Sequence, residues 1–147
     1  VLDCTQMLIG EGLDGPHTNN TSIQAFTVSV KDTYHMYKKL GVNAYFVLQV
    51  PNQKIDPHRV YRFRGNVSNE DLLAASVSLK DHRLYQKVAN DVFKGILPNS
   101  NLIDFTSVLC NKGVCSIGKS NHPYYIDDDH LSENGAQRLG AFIGQYL

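Results

Sequence analysis

The chain has no excess charge of either sign: fourteen lysines and arginines balance fourteen aspartates and glutamates. That balance removes the basic field that would draw nucleic acid or an anionic membrane surface. Nowhere do apolar residues run for the ~20 positions that a membrane-spanning helix needs. No charged leader with an apolar core and a small-residue cleavage site is present, and the chain opens on Val1-Leu2-Asp3 rather than on Met. That opening reads as a segment cut from something longer. A nucleophile elbow of the form Gly-x-Ser-x-Gly is also missing, and none of the ten serines falls in an expected strand-to-helix nucleophile turn. Internal repeats and low-complexity stretches are absent from the pattern.

What is there is ordinary for a globular chain: 147 residues, 42% apolar and 19% charged, enough for one domain with a real core. Of three cysteines, Cys110 and Cys115 bracket Asn-Lys-Gly-Val, a turn-prone loop short enough for a local disulfide. Cys4 is left over, either a buried thiol or the partner of something outside this chain. Glycosylation sequons occur at Asn19, Asn20 and Asn66. Together with the cysteine pair they lean towards an extracellular or lumenal setting.

Residues 1–9 read as a buried strand running into Gly10-Glu11-Gly12 and a polar loop. From Ser22 to Leu40, Ile23, Phe26, Val30, Tyr34 and Tyr37 recur at helical steps, with Thr21 or Ser22 as N-cap and Gly41 as the stop. Residues 43–51 form a nearly continuous apolar run, as expected of a central parallel strand covered on both faces. A polar loop over residues 52–66 follows, carrying Lys54, His58, Arg59, Arg62 and Arg64, where α/β folds bind ligands or where a basic loop is simply solvated. Ser68 with Asp71 predicts a capped helix. Leu84, Val88 and Val92 predict a second helix ending at Gly95 and Pro98, and residues 102–109 a further strand. Ser132 predicts the cap of a last helix with Ala136, Leu139, Ile143 and Leu147 on one face. The alternation of strands and helices predicts the α/β class with a parallel sheet.

The stretch that carries chemistry is Tyr124-Tyr125-Ile126-Asp127-Asp128-Asp129-His130-Leu131-Ser132. In a turn, the three-residue spacing lets the Asp127 carboxylate reach the His130 Nδ1, fix its tautomer and leave Nε2 to take a proton from a nucleophile. The alternative reading is an acidic loop in which Asp129 or Ser132 caps the helix and His130 is merely exposed. Tyr-x-Asp-x-Asp-His-Leu-Ser-x-x-Gly-Ala resembles the last motif of the SGNH (GDSL-like) hydrolases. It is most similar to SGNH domains attached to membrane-bound O-acyltransferases of the acyltransferase-3 type.

The resemblance implies a flavodoxin-like three-layer α/β/α sandwich, incomplete at its N-terminus, with residues 1–147 as the C-terminal portion of one domain. It covers about the last three-quarters of the chain and is specific from Asp127 to Ala136. It implies that Asp127 is the orienting acid and His130 the general base. The family's Gly-Asp-Ser nucleophile turn has no match, so the serine would lie upstream. Gly10-Glu11-Gly12 stands where the oxyanion-hole Gly-x-Asn is expected. The implied activity is acyl-ester transfer or hydrolysis between an acyl donor and a hydroxyl acceptor such as a carbohydrate. No metal or organic cofactor and no nucleic acid is implied, and the partner would be an upstream membrane acyltransferase domain. A binding domain that kept the scaffold and lost the chemistry is the competing class.

Two other patterns invite different chemistry. Residues 113–120 satisfy Gly-x4-Gly-Lys-Ser, but a phosphate cradle needs a helix starting at Lys119-Ser120. Pro123 would cost about 3 kcal/mol inside that helix. Cys110, Cys115, His122 and His130 lack the paired spacing of a structural zinc site. His17, His35, His58 and His82 have no partner motif and read as surface or capping residues.

Overall fold

The computed structural model describes residues 19–62 and 67–146. The expected first strand, Cys4, Gly10-Glu11-Gly12, His17, Arg64, the Asn66 sequon and Leu147 lie outside these residues. Along the chain run α1 (Asn19–Lys39), β1 (Phe46–Val47), α2 (Pro57–Tyr61), α3 (Asn69–Ala75), β2 (Val77–Ser78), α4 (Leu79–Tyr85) and α5 (Lys87–Ile96). They are followed by β3 (Leu102–Ile103), α6 (Thr106–Leu109), β4 (Cys110–Asn111), β5 (Val114–Cys115), β6 (Gly118–Lys119), β7 (His122–Pro123) and α7 (Glu133–Ile143). Two compact units result: Val1–Phe46 with Lys87–Leu102, and Val47–Gln86 with Ile103–Leu147.

In the first unit α1 and α5 pack through aromatic rings. Phe26 meets Phe93 edge to face at 5.3 Å between centroids, and Phe46 lies 6.0 Å from the same ring. Such a pair contributes about 1 kcal/mol beyond its buried area. Gly41 ends α1 at φ +71, where the Val42 N–H reaches back to the Tyr37 carbonyl at 3.0 Å, an acceptor it shares with the Leu40 N–H at 3.1 Å. The helix starts ahead of the expected Ser22, whose buried hydroxyl finds no partner among the described residues. Asn19 and Asn20, the two described sequons, are exposed in its first turn.

The second unit is centred on Val60, Val67, Leu72, Ala75 and Ile117, with Tyr61 against them. Ser68 caps α3 as its spacing predicts, its hydroxyl accepting the Asp71 N–H at 3.1 Å. Within the loop expected over residues 52–66, Asp56 and Pro57 start α2: the Asp56 carboxylate accepts the His58 N–H at 2.8 Å, and proline at N1 forfeits no bond. Strands β2, β5 and β4 form an antiparallel sheet. Lys112 at φ +47 and Gly113 at φ +82 make the two-residue turn between β4 and β5, the twist that hairpins favour. Cys110 and Cys115 face each other across that pair and are joined by a disulfide.

The α/β class holds, with helices around small sheets rather than a clear three-layer parallel sandwich. Among the described residues each strand is two residues long. In the run over residues 43–51, Val47 is exposed rather than covered on both faces. The strand expected over residues 102–109 stops after Ile103, because the Asp104 carboxylate accepts the Thr106 N–H at 2.9 Å and turns the chain into α6. The helix expected through Leu84, Val88 and Val92 divides at Gln86 into α4 and α5, leaving Leu84 and Val88 exposed. On α7 the buried positions are Gly135 and Leu139. Leu139 is thus inward as expected, whereas Ala136 is exposed and Gly135 takes the buried place beside it.

Candidate active site

Residues 124–132 make a narrow reversal tied at several points. Tyr125 pairs with Leu131 as an antiparallel bridge. The Ile126 N–H donates to the His130 carbonyl at 2.8 Å, and the Ser132 N–H to the Tyr124 carbonyl at 3.0 Å. Tyr125 is fully buried, and burial pushes its phenol up to about 12. Ser132 does cap α7: its hydroxyl accepts the Gly135 N–H at 3.2 Å and donates to the Pro123 carbonyl at 2.7 Å. Gly135 is required by contact, since a Cβ there would overlap the Tyr124 carbonyl. Arg138 on α7 donates to the Tyr124 hydroxyl at 3.0 Å and to the Val108 carbonyl at 3.1 Å.

The reversal is also held from across the second unit. The main-chain N–H of Gln53 donates to the Asp128 carbonyl at 2.6 Å. Gln53 is buried, its side chain accepting the Val77 N–H at 3.2 Å and donating to the Pro51 carbonyl at 3.3 Å. No local motif signals this residue; it is fixed by segments that meet only in the folded chain.

At the tip, the sequence-predicted pair is together. Asp127 Oδ1 and Oδ2 lie 3.0 and 2.9 Å from His130 Nδ1. Asp127 Oδ1 also accepts the backbone N–H groups of Asp129 at 3.0 Å and His130 at 2.7 Å, so the carboxylate is fixed to the turn it organises. Partial burial would raise its pKa, but those N–H donors and the imidazole outweigh burial and hold it down at about 2. The hydrogen bond to Asp127, then the charges of Asp127 and Asp129, raise the imidazole above 6.5. The His130 side chain is 73% exposed, so a second molecule or segment can reach Nε2. This is an oriented, accessible base.

Asp129 does not cap the helix. Its Oδ1 lies 2.8 Å from the same Nδ1, a contact that the interval Asp129-His130 alone does not announce. His82 departs from its surface expectation: it is buried, and its Nδ1 has no partner among the described residues. Burial lowers its pKa. Ser78 closes β2 and caps α4, a strand-to-helix junction where no serine was expected. Its hydroxyl accepts the Asp81 N–H at 3.0 Å and donates to the Asp81 carboxylate at 2.7 Å, so it serves as a cap.

Neither competing pattern survives in its chemical form. Lys119 ends β6 and Ser120, at φ +43, turns the chain into β7, so no helix N-terminus gathers N–H groups there. The Cys110–Cys115 bridge leaves those sulfurs no thiolate to offer a zinc ion.

An α/β domain that presents a carboxylate-held imidazole just ahead of its last helix is arranged like a hydrolase of the acid–base–nucleophile kind. A family model described as "SGNH domain (fused to AT3 domains)" matches residues 5–145, and the chain belongs to that family. The match starts well before the last three-quarters of the chain to which the motif resemblance extends. Membership points to ester chemistry of the esterase or acyltransferase type. No curated protein and no solved structure matches the chain. Among the described residues no helix is long and apolar enough to cross a membrane.

Proposed function

We propose that residues 1–147 are the C-terminal portion of an SGNH domain that transfers or hydrolyses acyl esters, as an O-acyltransferase or esterase acting on a glycan or another hydroxyl acceptor. The observation that carries this reading is the Asp127 carboxylate 2.9 Å from Nδ1 of an imidazole whose ring is open to solvent. His130 Nε2 accepts the proton of a serine hydroxyl supplied by an upstream part of the same domain. The serine oxygen attacks the acyl carbonyl, and His130 returns the proton to the departing alkoxide. The acceptor hydroxyl or water is then deprotonated in the same way. Asp127 orients the ring and stabilises the imidazolium. Fusion to AT3 domains in the family supports a tethered membrane acyltransferase domain as partner. The disulfide and the exposed Asn19 and Asn20 sequons support an extracellular or lumenal position with glycan attached.

The test is His130→Ala in the full-length protein, assayed by release or transfer of an acyl group from an activated ester. Loss of a general base lowers turnover by roughly 10²–10⁴-fold. Near-normal turnover would leave only the non-catalytic binding scaffold.

A further inference from the structure

Building on His130 as the base, we propose that Asp129 is a second positioning residue for it, so that the Nδ1 proton is shared between two carboxylates rather than held by Asp127 alone. Three oxygens stand around that nitrogen: both of Asp127, at 2.9 and 3.0 Å, and Oδ1 of Asp129, at 2.8 Å. A ring nitrogen carries one proton, and one N–H cannot point along both directions at once. Two carboxylates this close repel unless a positive charge or a proton lies between them. The imidazolium supplies that positive charge, lying against both acids.

The two acids are not equivalent. Asp127 has its Oδ1 committed to the N–H groups of Asp129 and His130, which keeps it ionised and immobile. Asp129 is the less exposed of the two, 31% against 44% for its side chain. Burial raises its pKa, His130 opposes that rise, and the charges of Asp127 and Asp128 reinforce it. Asp127 is therefore the more firmly held anion, and Asp129 the one held by the ring alone. The titratable groups facing His130 are Asp127, Asp128 and Asp129, all from its own loop.

The chemical consequence is a stronger base with a later onset. When the serine proton reaches Nε2, the new positive charge meets two carboxylates, while the Nδ1 proton stays where it was. The same two charges keep the resting imidazole protonated to higher pH, where it cannot accept a proton. Asp129→Asn therefore does two opposite things. It lowers the plateau rate, and it moves the acidic limb of the rate profile to lower pH, so that the two profiles cross. A residue that only supported the loop would lower the rate at every pH without moving the limb.

The experiment is an NMR titration of the His130 imidazole in the full-length protein, beside pH–rate profiles of the same protein. In the titration, Asp129→Asn lowers the midpoint, Asp127→Asn lowers it further, and the double variant lowers it most. Asp129→Glu, which keeps the charge, brings the midpoint back towards the native one. In the rate profiles, Asp129→Asn loses about threefold at the plateau, and the double variant falls to the level of His130→Ala. An unchanged or raised midpoint in Asp129→Asn overturns the inference, even if His130→Ala is inactive. A lowered midpoint together with an active His130→Ala sustains the shared proton and removes the base assignment.

Discussion

Two short chain reversals in the second unit are closed by different chemistry. The β4–β5 hairpin is locked by a disulfide between directly facing residues and by a two-residue turn at positive φ. The reversal over residues 124–132 is locked by hydrogen bonds alone, several of them to a charged carboxylate. A covalent lock ignores pH, so the hairpin keeps its form whatever its neighbours' charge. A lock built on Asp127 and Asp129 gains or loses strength with each proton. The reversal that presents the proposed base is thus the one closed by groups that gain and lose protons.

The contrast can be broken from either side, beginning with the largest effect expected on the fold. Gly135→Val drives a branched side chain into the Tyr124 carbonyl and should destabilise the protein by roughly 3 kcal/mol. A denaturant midpoint close to the native one would show that α7 does not depend on that close approach. The paired variant Cys110→Ser with Cys115→Ser should cost about 2 kcal/mol through the freed loop. If the two closures are independent, its His130 titration midpoint stays at the native value; a displaced midpoint would show that the hairpin also sets the base.

A smaller, pH-dependent effect belongs to His82, on the helix whose Leu79 N–H docks on the Gly113 carbonyl of the hairpin turn. Burial lowers its pKa below 6.5. Below 6.5 the unfolded chain therefore takes up the proton more readily than the folded one, and stability falls with pH towards the folded value. On going from about pH 7.5 to pH 5.5, the melting temperature of His82→Gln should hold up better than that of the native protein, in which His130 gains what His82 loses. Equal slopes in the two proteins would dismiss the residue. Lys119→Ala touches neither closure and should stay within about 0.5 kcal/mol and native turnover; a clear loss of turnover would return the Gly-x4-Gly-Lys-Ser stretch to consideration.

The features legible in the sequence are those made within three or four residues. Ser68 with Asp71, Ser132 with Gly135, and Asp127 with His130 follow from one turn of backbone geometry. The cystine follows from a tight loop between two thiols. Strand length was not legible, because the extent of residues 43–51 and 102–109 is decided by the Asp104 turn and by which neighbours pair. The burial of His82 was hidden because it depends on tertiary packing around α4. Asp129 escaped for a subtler reason: its side chain reaches the imidazole only after Asp127 has bent the backbone by accepting two N–H groups. Its part in the site is a product of the other acid.

The tie between Gln53 and Asp128 runs through main-chain atoms. Any side chain leaves an amide hydrogen at position 53 except proline, so ordinary substitution scans would pass over this anchor in silence. The lifetime of that one hydrogen against deuterium would time how often the tip of the reversal lifts from its seat. Replacing the residue 53 amide by an ester, by chemical synthesis, would cut the anchor while sparing every side chain.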